Sequence, residues 1–317
     1  LLYGLTGSTL LVDIAEHIRS LESTEPVLTL AIVFVLIGFA FKVSAVPFHT
    51  WAPDTYEGAP TPVTAFLAVA SKAAGFVALL TLVFVGFYGE VGSDIFQPLF
   101  YGLAVVTMFG GNLIALRQTN VVRMLAYSGI AQAGYILAPL AIAGDSIAAG
   151  ETALRSIVIY LVIYAAMNLG AFAVVIAVAR KTRSAEIGSF GGLFHYAPGL
   201  AVAMSAFLFS LAGIPPLGGW FAKLGIFQAL VEPGTTAGYI LAVVVAVNSV
   251  IAFFYYARLM RYMWMEPAPD GDETPIKVPV SLTAAIGITL IVTLVLGIEP
   301  GVLTHVTDTV TLVAVGG

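Results

Sequence analysis

The chain has 317 residues, of which 59% are hydrophobic and 10% charged, with a net charge of −5 and a mean hydropathy of +0.99. A soluble domain carries about 25% charged residues, so this composition excludes a globular enzyme on a single anchor and describes an all-α polytopic membrane protein. There is no cysteine, which excludes protein-ligated iron–sulfur clusters, c-type haem and disulfides, and the acidic balance gives no nucleic-acid footprint.

A membrane span needs about 20 apolar residues. Runs of that kind predict about nine transmembrane helices, near 1–18, 27–50, 61–88, 98–116, 124–143, 152–179, 198–230, 237–257 and 280–298. Residues 301–315 are short and mixed; they either finish the ninth span or lie along the interface. The chain opens at Leu1 inside an apolar run, without Met or a basic leader, and reads as a fragment of a longer protein with further spans upstream. All of 1–317 reads as one transmembrane domain. The segment 266–279 (EPAPDGDETPIKVP) is its clearest extramembrane loop.

Traced up and down through these spans, one side receives Arg117, Arg123, Arg180, Lys181, Arg183, Arg258, Arg261 and Lys277, and the other only Arg19 and Arg155. The positive-inside rule puts the first side in the cytoplasm. A wrong span count would scramble this asymmetry.

Two spans are interrupted. Pro47 breaks 27–50 within FKVSAVPFHTW, and Gly213, Pro215, Pro216, Gly218 and Gly219 break 198–230 within LAGIPPLGGWFAK. Proline removes a backbone donor and clashes with the preceding turn. Irregular backbone at membrane depth survives only inside protein or beside a water-filled cavity. The breaks resemble one another, Ala45–Val46–Pro47…Trp51 against Gly213–Ile214–Pro215…Trp220. Paired Gly/Pro-interrupted spans are the sign of a transporter built from two repeats, here of about five helices each.

Lysines sit beside or between these breaks. Lys42 precedes the first, Lys223 follows the second, and Lys72 lies within AVASKAAGF, flanked by the small residues Ala68, Ser71, Ala73, Ala74 and Gly75. An ammonium at a helix centre is unfavourable by about 2.5–3.5 kcal/mol on insertion scales. Burial penalises the charged form and a carboxylate favours it, so a lysine between those influences can load and release a proton, which arginine cannot. His49, two residues after Pro47, suits a relay, or it caps carbonyls freed by the break. Lys42 and Lys223 could instead snorkel from helix ends; Lys72, some ten residues from either end of its span, reaches less easily. His17, His195, His305 and Arg155 read as interfacial, Asp54 and Glu57 as ordering a loop at the cytoplasmic mouth, and Asn168 and Asn248 as helix–helix hydrogen-bonding groups.

The run FKVSAVPFHTWAPDTYEGAPTPVTAFLAVASKAAGF (41–76) resembles the hallmark segment of the antiporter-like membrane subunits of respiratory complex I, closest to the subunit N (NuoN/NdhB) type of NADH–quinone oxidoreductase. MLAYSGIAQAGYIL (124–137) and FSLAGIPPLGGWFAK (209–223) match other segments of that family in the expected order. The resemblance implies two inverted five-helix repeats within a fourteen-span fold. Residues 1–90 would end the first repeat, with its broken helix at 27–50. Residues 98–262 would form the second, with its broken helix at 198–230, and 280–317 a C-terminal helix and tail. It implies a proton relay of Lys42, Lys72 and Lys223 with His49 beside the first break, and a partner glutamate on a span that this sequence does not contain. It also implies no cofactor in this chain, and a proton-pumping role coupled to quinone reduction elsewhere in the complex. The partners would be other complex I membrane subunits, the lipid bilayer and protons, in a bacterial or archaeal plasma membrane or an organellar one. A cation/proton antiporter subunit of Mrp type, or a membrane subunit of a related hydrogenase, shares these features. A structural scaffold and a haem-bearing cytochrome fit less well; only His49 could lie at membrane depth.

Overall fold

The computed structural model describes residues 1–307. Short turns aside, the helices are α1 (Leu2–Thr6), α2 (Leu11–Arg19), α3 (Pro26–Val43), α4 (Trp51–Gly58), α5 (Thr61–Phe87), α6 (Glu90–Ala115), α7 (Val121–Ala141), α8 (Ile147–Thr182), α9 (Pro198–Ala212), α10 (Gly218–Val231), α11 (Thr236–Met265), α12 (Val280–Ile298) and α13 (Gly301–Thr307). Among the described residues the only β pairing is an isolated antiparallel bridge between Asn120 and Glu186.

Among the described residues, seven helices are long and apolar enough to cross a membrane: α3, α5, α6, α7, α8, α11 with its C-terminal extension, and α12. Two of the nine predicted runs are not among these seven. The 1–18 run is two short helices, because Gly7 takes a left-handed conformation (φ +69°) that ends α1. The second of them, α2, is nine residues long and carries Asp13, Glu16, His17 and Arg19; at 1.5 Å per residue it is too short to span. The 198–230 run is two half-helices, α9 and α10, each below spanning length. The last predicted stretch is described only as α13, and residues beyond 307 lie outside the described part.

Polar side chains start several spans. Asn120 Oδ1 accepts from the N–H groups of Val122 and Arg123, Ser146 Oγ from Ala149 and Thr235 Oγ1 from Gly238, each satisfying an otherwise orphaned donor. The core is α7 and α8: 94% of the most apolar window of α7 is buried, against 17% for α12. Phe34, Phe41, Phe254, Ile288 and Ile291 point outward, as lipid-facing residues do. α5 is not uniform; it passes through two wide π-helical turns, Leu67–Ser71 and Leu82–Phe87.

The two breaks share one construction. α3 ends at Ser44 (φ +63°), and the Ala45 N–H bonds back to the Ala40 carbonyl at 2.8 Å. α9 ends at Gly213 (φ +89°), and the Ile214 N–H bonds back to the Phe209 carbonyl at 3.0 Å. Both are Schellman-type ends. The left-handed residue is the true landmark, so Ser44 corresponds to Gly213 and Pro47 to Pro216, one residue later than the sequence pairing of Pro47 with Pro215. The prolines at these positions follow cis peptides.

Neighbouring helices hold each break. Thr107 Oγ1 on α6 accepts from the Val46 N–H at 3.0 Å, while Val46 lies over Gly110. Ser210 Oγ accepts from the Gly219 N–H at 2.9 Å, and a methyl on Gly297 of α12 would lie 2.1 Å from the Pro216 carbonyl oxygen.

Most of the basic loops lie at one end of the bundle. Arg258 donates to the carbonyls of Leu116 and Gln118, the Val121 N–H to the Ala185 carbonyl, and Lys181 to the Thr274 carbonyl. At the same end Arg123 bridges Asp54 (2.7 Å) and Glu57 (2.8 Å), so those two acids do order the α4 loop.

Candidate functional site

Lys72 and Lys223 are each 3% exposed. Lys72 comes directly after the first π-helical turn of α5, and its Nζ donates to the Gly129 carbonyl on α7 at 2.6 Å. Lys223, on the second turn of α10, donates to the Ala212 carbonyl at 2.8 Å and to Ser249 Oγ at 3.1 Å, and its Nζ lies 4.7 Å from the centroid of the Tyr135 ring. Gly213 makes room for the stem; a methyl there would sit 2.7 Å from Lys223 Cδ. Neither ammonium snorkels, and among the described residues neither has a carboxylate partner. Lys72 is held by one backbone carbonyl, and Lys223 by a carbonyl, a hydroxyl and a ring.

Lys42 is placed differently. It lies on an exposed face of α3, with Nζ donating to Ser71 Oγ at 2.9 Å. Its stem crosses Gly75, where a methyl would approach Cγ to 2.9 Å. The small residues that the sequence assigns to the surroundings of Lys72 therefore serve Lys42 in part. His49 is half-buried in the first break, its ring edge-on to Tyr127 at 6.3 Å, with Nδ1 enclosed and without a hydrogen-bond partner. The Pro47 backbone of the break nonetheless acts on the ring as a hydrogen-bond partner, as the cap reading expects.

Between the two buried lysines lies a layer of neutral polar side chains that the sequence does not announce. Ser128, Gln132 and Tyr135 fall on one face of α7 at spacings of four and three. The hydroxyls of Ser128 and Tyr256 are 2.5 Å apart. Gln132 accepts from the Tyr160 hydroxyl and donates to the Leu211 carbonyl at 3.2 Å, one residue from the carbonyl that holds Lys223. Asn112 joins α6 to α7 and α11: its Nδ2 donates to the Tyr135 hydroxyl at 3.2 Å and to Asn248 Oδ1 at 3.1 Å, and its Oδ1 accepts from the Tyr255 hydroxyl at 3.0 Å. Asn248 thus links helices as its sequence suggests. Asn168 does not, since neither end of its amide has a partner.

The chain is an all-helical bundle with two interrupted helices that encloses two lysines and a set of hydrogen-bonded hydroxyls and amides, the construction of a polytopic membrane protein with polar groups in its interior. The model of the family described as "NADH:quinone oxidoreductase/Mrp antiporter, TM" matches residues 1–252, and the chain belongs to that family. It is 43% identical over 306 residues to NADH-quinone oxidoreductase subunit N of Heliobacterium modesticaldum, covering 96% of this chain and 61% of the relative. To subunit N 2 of Solibacter usitatus it is 43% identical over 303 residues, covering 94% and 58%. The resemblance to the subunit N type is borne out, and the chain spans about three fifths of the length of these curated relatives. Among solved structures, a chain of respiratory complex I from Thermus thermophilus superposes with a TM-score of 0.75 at 30% identity, over 95% of this chain and 62% of that one. A chain of the Mrp complex from Dietzia sp. DQ12-45-1b superposes at 0.84 and 24% identity, over 98% and 63%, which shows the shared fold.

Proposed function

We propose that this chain is the larger part of a proton-translocating membrane subunit of an NADH–quinone oxidoreductase, in which Lys72 and Lys223 are successive proton-loading stations and Lys42 and His49 serve the first break. Electron transfer belongs to other subunits of the assembly. The observation that carries the reading is the pair of enclosed ammoniums held only by carbonyls, a hydroxyl and a ring. A charge so held lacks the counter-ion that would lock it in place. A small change in local hydration or in a neighbouring charge therefore suffices to move its proton on or off.

The magnitudes match. Moving one charge through 100 mV requires about 2.3 kcal/mol, and one unit of proton affinity corresponds to about 1.36 kcal/mol, so a shift of about two units per step drives a proton against the potential. The end bearing Arg123 and Lys181 is assigned to the cytoplasm by its excess of basic residues. The two similarly built breaks are assigned to inverted repeats. Other membrane subunits would cover the exposed face around Lys42.

The test is Lys72→Ala in the full-length subunit. Assembly should persist while proton pumping coupled to quinone reduction disappears from sealed vesicles. Pumping at the wild-type ratio from that variant would refute the reading. The family also includes Mrp antiporters. Purification of the intact chain with iron–sulfur and flavin subunits supports the oxidoreductase, and purification without them supports an antiporter.

A further inference from the structure

We propose that Tyr164 and Asn168 of α8, with Gly129 of α7, form a water site that supplies Lys72 with its proton; the proposal rests on the reading of Lys72 given above. Tyr164 and Asn168 are 2% and 1% exposed. The Tyr164 hydroxyl and both ends of the Asn168 amide have no partner at ordinary hydrogen-bond distance; one turn apart on α8, they are close enough to act on each other only as a long hydrogen bond. Buried polar atoms are nearly always paired, and a buried phenol and amide with no more than one long contact between them are exceptional.

They also lie beside an ammonium with spare donors. A methyl built on Gly129 would be 2.9 Å from the Tyr164 oxygen and 3.5 Å from Lys72 Nζ, so both groups share the space above that glycine. Lys72 uses one of its three N–H donors, on the Gly129 carbonyl. Donor and acceptor capacity from the phenol, the amide and the ammonium matches the two to four partners that a buried water takes. A metal cation does not fit, because the ammonium repels it; a neutral water does, and so does a proton passing along it once Lys72 is neutral.

Protons balance in this step. The water gives a proton to neutral Nζ and takes one from the next water, and Tyr164 and Asn168 keep theirs throughout, so they are positioning residues. α8 packs against the start of α5, and Tyr164 is near Tyr56 of α4, the helix whose Asp54 and Glu57 hold Arg123. The site therefore lies on the side from which the basic end feeds Lys72.

The test uses the full-length subunit in its assembled complex, with proton pumping and quinone reduction measured together. Tyr164→Phe removes one oxygen and Gly129→Ala fills the shared space; each should lower pumping about tenfold or more with the complex intact. Asn168 separates a polar role from packing. Asn168→Ser, smaller but polar, should retain pumping within about twofold, and Asn168→Leu, similar in volume but apolar, should lose it. The reverse order, or normal pumping by both Tyr164→Phe and Asn168→Leu while Lys72→Ala abolishes pumping, overturns this proposal and leaves the lysine reading standing. Normal pumping by Lys72→Ala overturns both.

Discussion

Gly219→Ala probes how the second break fixes Lys223. A methyl on Gly219 would lie 1.8 Å from the Ser210 carbonyl oxygen, and real Cβ atoms essentially never come closer than 3.0 Å. The backbones of α9 and α10 must therefore part by more than about 1 Å, since both atoms in the clash belong to rigid helical turns. Lys223 lies four residues on, on the same face of α10. Its 2.8 Å bond to Ala212, near the end of α9, would open beyond hydrogen-bonding distance. Overpacking of this kind is destabilising by about 1–3 kcal/mol, and a hydrogen bond to a charged group contributes about 1.5–3 kcal/mol. With about 1.4 kcal/mol per factor of ten, proton pumping should fall about tenfold or more. Gly225→Ala is the control on the same helix, because its methyl meets only Ser156, with Cβ at 3.8 Å; it should pump normally and stabilise slightly, by about 0.5–1 kcal/mol. Pumping in sealed vesicles and unfolding in detergent report the two effects. Equal pumping by Gly219→Ala and Gly225→Ala, at equal protein levels, would refute the claim that the packed break positions the ammonium.

Asn112→Leu removes partners from the Tyr135 and Tyr255 hydroxyls and from Asn248 at once. Interhelical hydrogen bonds in membranes average about 0.6 kcal/mol and reach about 1.7, so stability should fall by about 1–3 kcal/mol in a detergent titration. Arg123→Ala breaks an ion pair whose acids are largely exposed; it should lower stability by less than about 1 kcal/mol, with pumping unchanged. Asp272 is held below its ordinary value of 3.8 by hydrogen bonds from Thr274 and by the Lys181 ammonium. A lowered carboxylate stabilises above its unfolded value and loses that contribution as pH falls through the folded one. Protease cleavage of the 266–279 loop should therefore be constant from neutral pH to about pH 5 and rise only below about pH 4.

The expensive features are legible in the sequence. Lysines within apolar runs, and prolines where a span should continue, stand out because each opposes the surrounding composition. The neutral part of the site is not. Tyr135, Tyr160, Tyr164, Tyr255 and Tyr256 count as aromatic in any hydropathy sum, and nothing local distinguishes a phenol facing the core from one at the interface. The 4-and-3 spacing of Ser128, Gln132 and Tyr135 is the available signal, since three polar residues on one face of an apolar helix need partners. Gly129 gains its meaning only once α7 is placed against Lys72. The 1–18 run misleads because hydropathy over a window ignores a left-handed glycine at its centre. The sequence pairing of the two breaks is off by one residue because proline is the conspicuous landmark, whereas the helix-ending residue, Ser44 or Gly213, sets the register.

The wide turn at Leu67–Ser71 also bears on how this helix can change over evolution. Such a turn accommodates one surplus residue, and each residue of an ordinary helix rotates the rest of the chain by about 100°. A one-residue deletion there that restored ordinary winding would therefore leave Lys72 facing Gly129, whereas the same deletion in the ordinary turns before it would swing Lys72 away by about 100°. Length should therefore be freer to change within those few positions than in the ordinary helical turn, Thr61–Phe66, that precedes them.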